Sequence, residues 1–171
     1  MPRYEWQSPL TLEKLEQILS THPLFTDPRV LVTDTTINII AAKHSDRNVI
    51  LNHAGGVTAT LPKASGTGDV YKFTVGILAT ANSHIIKVGS TSDNMVGTIA
   101  IVDTDSANGP ITAWASGGAT SDTITLNRST TGSVRQGEFV ELQDIANNTW
   151  SVRGMLSNTG TAVTPFGSSV N

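Results

Sequence analysis

The chain has 171 residues, enough for one domain with an appended arm and for a core that needs no crosslinks. It has no cysteine, which excludes disulfides, thiolate metal sites and cysteine nucleophiles. Charged residues make up 15%, with 11 basic against 14 acidic side chains and a net charge of -3, so the basic stripe of a nucleic-acid binder is missing and no nucleic-acid partner is expected.

The N-terminus, Met1-Pro2-Arg3-Tyr4-Glu5-Trp6, has no apolar signal-peptide core, and no run of about 18 apolar residues occurs. A soluble protein made in a cytoplasm, with no membrane partner, is the expectation. Residues 1–30 read as an arm. Ser8 offers an N-cap and Pro9 a first helical position, and Leu12, Leu15, Ile18 and Leu19 follow at helical spacing among Glu13, Lys14, Glu16 and Gln17. The pattern predicts an amphipathic helix that ends near Ser20, because Pro23 and Pro28 follow. About ten helical residues are marginal alone in water, so the stripe needs a surface to pack on, in this body, another copy or another protein. Tyr4 and Trp6 lie outside any visible core and, with the stripe, are the candidates for contact with another chain.

From residue 31 to 157 the apolar period changes to two, predicting an all-β domain. The expected strands are Val30 to Thr33, Ile37 to Ala41, Asn48 to Leu51, Val57 to Leu61, Val70 to Val75, His84 to Val88, Met95 to Val102, Ile111 to Ala115, Thr123 to Leu126, Glu138 to Asp144 and Trp150 to Met155. Turn residues separate them, and Gly56 to Val75 has the form of a strand, a Gly66-Thr67-Gly68 hairpin turn and a second strand. Short strands at regular spacing argue for an antiparallel sandwich, jelly roll or barrel. No strand alternates with a long helix, so a parallel βαβ sheet is not expected. Residues 158–171 read as an extended tail, in which Phe166 either docks into a neighbour's groove or covers the edge of its own sheet.

Chemistry finds little local support. His22, His44, His53 and His84 are scattered and form no ligand pair, so they read as surface or strand-edge residues, and no metal or cofactor is expected. Asp103 to Gly109 resembles the start of a calcium loop, but Ala107 fills a ligand position and Trp114 stands where the closing Glu belongs; it reads as a turn. Gly66-Thr67-Gly68 opens a strand and follows Lys63, the reverse of a phosphate loop. No Gly-x-Ser-x-Gly elbow is present. Glu138 and Glu141 fall on opposite faces of one strand, so they do not share a site, although a glycosidase-type pair from distant residues stays open. Tyr71 and Phe73 share one face and read as core.

Several pieces carry a resemblance. The run from Gly56 to Phe73 resembles a family of small virion proteins of tailed bacteriophages. So do Ser92 to Gly97, Ser121 to Asn127, Thr130-Thr131-Gly132, Glu138 to Asp144, Trp150 to Gly154 and Ala162 to Phe166. The likeness covers about residues 35 to 166. It implies a structural role on the capsid surface as a head decoration or cement protein, with no enzyme activity and no cofactor. The partners implied are the major capsid protein and other copies of the chain, as a homotrimer. No functional residues carry over. The competing reading is a glycan- or receptor-binding module of a tail or fibre, with Trp114 and the loop from Asp103 to Pro110 as the platform; an enzyme comes third.

Overall fold

The computed structural model describes residues 11–14 and 28–170. The body is mostly β, built from two sheets around one core. The strands are β1 (Arg29–Val32), β2 (Thr36–Asn38), β3 (Arg47–Leu51), β4 (Thr58–Thr60), β5 (Val70–Val75), β6 (His84–Lys87), β7 (Asn94–Asp103), β8 (Ile111–Ala115), β9 (Thr123–Leu126), β10 (Phe139–Ala146), β11 (Thr149–Asn158) and β12 (Phe166–Gly167). The seven-stranded sheet has the order β1-β3-β5-β10-β11-β7-β8, and the five-stranded sheet the order β12-β9-β6-β4-β2. Neither sheet closes on itself.

The expected antiparallel arrangement is corrected: both sheets are mixed. The first six strands alternate between the sheets, so β1, β3 and β5 run parallel in one and β2, β4 and β6 parallel in the other. Parallel neighbours need a long crossover, and here that crossover is a strand in the opposite sheet rather than a helix. The same winding overturns the hairpin reading of Gly56 to Val75, because β4 and β5 belong to different sheets.

Strands form where alternation is clean. In β5, Tyr71, Phe73 and Val75 are buried while Val70, Lys72 and Thr74 face outward. Ile37 to Ala41 does not form one strand: β2 stops at Asn38, and Ala41–His44 makes a helical turn, α1. The chain must leave one sheet for the other at this corner. His44 Nδ1 accepts the Ile40 amide at 2.9 Å, and Asp46 adopts a left-handed φ of 57° before β3 begins.

Trp150, Tyr71, Phe73 and Leu142 from the larger sheet and Ile86, Ile124 and Leu126 from the smaller are fully buried. Each contributes about 1.5–3 kcal/mol relative to exposure. Tyr71 and Trp150 meet with ring centroids 5.7 Å apart at 59°. Along the ten-residue parallel pairing of β7 and β11, Gly97 lies so close to Val152 that an added Cβ would sit 1.9 Å from its carbonyl oxygen.

The segment read as a tail is strapped to the body. Phe166 pairs with Ile124 and is 9% exposed. The Ser169 and Val170 amides donate to Asp122 at 2.8 and 3.2 Å.

Candidate functional site

Strand pairing carries two side-chain rows across the outward face of the seven-stranded sheet. One reads Leu31, Ile50, Thr74, Phe139, Met155, Ala100 and Ala113 from β1 to β8. Six of the seven are apolar, and Leu31 and Met155 are 60% and 49% exposed. At about 4.8 Å per strand the row is about 29 Å long. The second row, two residues along each strand, holds Arg29, Asn48, Lys72, Glu141, Arg153 and Thr98. Arg153 donates its Nε to Glu141 at 2.8 Å, and the Lys72 ammonium sits 4.7 Å from the centre of the Phe139 ring.

Two shallow cavities flank these rows. One of about 390 Å³ is lined by Val102, Arg135, Phe139 and Met155 among others, and one of about 450 Å³ by Arg47, Lys72, Glu141 and Arg153 among others. An apolar band beside a charged band, on a rigid sheet, suits contact with another macromolecule. Alternation alone gives part of the signal: Leu31, Phe139 and Met155 have the parity opposite to the core, where polar residues are the norm for an antiparallel sheet with one wet face.

The buried carboxylates hold the backbone. Asp144 accepts the amides of Ser65, Gly66 and Thr67 and the Thr67 hydroxyl. Burial pushes its carboxyl up, but these donors outweigh it and leave it below the usual carboxylate range. The Gly66-Thr67-Gly68 loop is therefore not a hairpin turn but a cradle for the protein's own carboxylate. Glu138 accepts the amides of Ser133, Val134 and Arg135 at 2.5–2.8 Å; burial still raises its carboxyl above the ordinary value. Glu141 lies on the outward face in its pair with Arg153, so the two glutamates serve separate places. Asp93 accepts the Ala64 amide at 2.9 Å. Burial, followed by Asp69, Asp144 and Asp46, raises the Tyr71 hydroxyl to about 12.

Two of the histidines read as surface or strand-edge residues, His44 and His84, are buried. His84 is fully enclosed; its Nδ1 accepts the Val57 amide at 3.0 Å and its Nε2 donates to the Ile77 carbonyl at 2.9 Å, which fixes a neutral tautomer. Burial lowers both His84 and His44 below the ordinary histidine value. His53, nearer the surface, accepts the Gly55 amide at 2.9 Å. These rings take backbone donors at bends, a role that isolated histidines do not announce in sequence. Among the described residues no group of three histidine or acidic side chains is placed to hold a metal ion, and no helix is long and apolar enough to cross a membrane.

Of the candidates for contact with another chain, Leu12 is 73% exposed. Tyr4, Trp6, Leu15, Ile18 and Leu19 lie outside the described residues. Phe166 belongs to the core of its own body, at the sheet edge. Trp114, named with the Asp103 to Pro110 loop in the competing glycan-binding reading, pairs with Ile99 and packs against the core, whereas Asp103 to Pro110 is the turn at the end of that hairpin. Trp114 also lines a shallow cavity of about 390 Å³ with Phe166, Ser121 and Ser168. No family model matches the chain, and no curated protein matches it.

Proposed function

We propose that the protein is a structural component of a phage particle. It binds the outside of the capsid, bridges major capsid subunits and acts together with copies of itself, a homotrimer on the resemblance described above. The observation that supports this reading is the apolar row from Leu31 to Met155 across the outward sheet face, beside the charged row containing Lys72, Glu141 and Arg153. We read the body as a β-sandwich wound from alternating strands, a brace whose shape is fixed before assembly. Preorganisation of this kind lowers the entropic cost of binding, and many equivalent contacts on a shell add avidity. The exposed Leu12 is consistent with an arm that seats on a neighbouring surface.

The reading carries no catalytic step. Asp144 and Glu138, the buried carboxylates whose titration is shifted, are both occupied by backbone amides.

The test mixes purified full-length protein with expanded capsids that lack it, beside a Met155→Glu variant and a chain starting at Val30. Saturable occupancy and a rise in the heat resistance of the shell are expected for the full-length protein. Met155→Glu lowers occupancy at least tenfold without unfolding the chain. Sedimentation of the protein with tails and not with heads overturns the capsid assignment. Equal binding by the shortened chain removes the arm from the mechanism.

A further inference from the structure

We propose that β8 is a self-association edge: two copies of this chain pair their Ile111–Ala115 strands antiparallel about a twofold axis at Ala113, joining two seven-stranded sheets into one. The pairing goes beyond the capsid reading and stands without it. It uses neither the arm nor the outward charged row, and it can link two threefold assemblies as readily as two single chains.

β8 is the last strand of its sheet. The Asp103 amide donates to the Pro110 carbonyl at 2.9 Å and the Ser116 amide to the Gly97 carbonyl at 2.9 Å. Those two bonds set the phase of the β7–β8 ladder: Thr112 and Trp114 direct their backbone groups at β7, while Ile111, Ala113 and Ala115 direct theirs away from it. Among the described residues, the outward amides and carbonyls of these three residues make no other backbone hydrogen bond.

Edges of this kind are normally guarded by charge, proline or shortness. β8 has no charged residue and no proline within its five residues, and Ile111 is 63% exposed. The other edges differ: β1 opens with Arg29, β2 has three residues and β12 two.

A second copy fits because the strand is complementary to itself. With Ala113 opposite Ala113 of the other copy, Ile111 falls opposite Ala115 and Thr112 opposite Trp114. Every outward donor then meets an outward acceptor, giving six hydrogen bonds between the copies. No like charges face each other, and the large Ile111 lies beside a small alanine. The apolar outward row, which ends Met155, Ala100, Ala113, continues into the same row of the second copy. The pairing is smaller than a standard interface of about 1,200–2,000 Å², so it is weak and concentration-dependent.

The test is sedimentation of the full-length protein from about 5 to about 500 µM, a range suited to a small interface. It is run with amide hydrogen exchange at Ile111, Ala113 and Ala115. The smallest species should double in mass as concentration rises, with protection growing at those three amides. Ala113→Lys and Ala113→Glu each place like charges against each other across the axis and should weaken doubling at least tenfold. Mixing the two variants should restore it, because only a residue facing itself allows that rescue. No doubling of the unmodified chain overturns the proposal, as does doubling unaffected by either substitution. Failure of rescue between two folded variants also overturns it. A chain that never doubles, but whose three amides are protected by a free peptide of residues 110–116, assigns the edge to an extended ligand and overturns self-pairing.

Discussion

Gly66 donates its amide to Asp144 Oδ1 at 2.7 Å across 78 residues of sequence, and through this bond and its neighbours the loop before β5 is tied to the end of β10. Asp144→Asn replaces an acceptor oxygen with a donor that faces the amides of Ser65 and Thr67. A loss of about 2–3 kcal/mol is expected from one buried, charge-assisted cluster, measured by urea unfolding at pH 7. The sign with pH follows from the lowered carboxyl of the folded protein. Stability from Asp144 is present above the ordinary aspartate value near 3.8 and is lost as pH falls through the folded value. The variant should lose that part of the acid dependence, and an unchanged acid limb would show that Asp144 does not supply it.

His84 makes the opposite end of the pH range informative. Burial lowers its value below 6.5 in the folded chain, so the unfolded chain takes up the proton first. Folding stability should hold above pH 6.5 and decline as pH falls from there toward the folded value. His84→Gln should be less stable at pH 7 and show a flatter profile between pH 7 and pH 5, read from midpoints of chemical unfolding. His44, lowered for the same reason, keeps a residual slope in that variant.

Two glycines with positive φ separate strain from collision. Gly68 (φ 83°) has open space where a Cβ would go, so Gly68→Ala should cost about 1–2 kcal/mol from backbone strain alone. Gly97 (φ 145°) has the Val152 carbonyl oxygen 1.9 Å from that position. Gly97→Ala should cost more than about 4 kcal/mol, in the range reserved for severe steric lesions, and thermal unfolding of the pair side by side should rank them in that order. Equal losses would mean that β7 and β11 can separate without penalty.

Phe166→Ala tests whether the C-terminal segment serves the body or a partner. Removing a buried aromatic at a sheet edge should lower stability by about 2–4 kcal/mol. The molecules that remain folded should bind capsids as the parent does. Lost occupancy with unchanged stability would return Phe166 to the list of contact residues.

The sequence by itself determined that the chain is rich in β-strands and where most of those strands lie. Val70 to Val75, Ile111 to Ala115 and Thr123 to Leu126 were legible to the residue from runs of β-forming residues between turn signals; in Val70 to Val75 burial also alternates strictly. Tyr71 and Phe73 as core residues followed from parity alone. Which strand lies beside which was not legible. The winding of β1 to β6 between two sheets produces parallel pairs without long connecting helices, and nothing within a strand of three to six residues encodes the sheet it joins. The corner at Ala41–His44 was hidden for the same reason: its apolar residues continue the strand pattern, while crossing between sheets bends the chain. The candidate surface was half visible. Leu31, Phe139 and Met155 could be assigned one face each, but only pairing in register aligned them into a row with Ile50 and Ala100. The cradle around Asp144 depended wholly on tertiary structure, since its two halves are brought together by β5 pairing with β10. Local periodicity fixes which side of a strand is wet or dry; neighbours, crossovers and long-range hydrogen bonds are decided by the closure of one shared core.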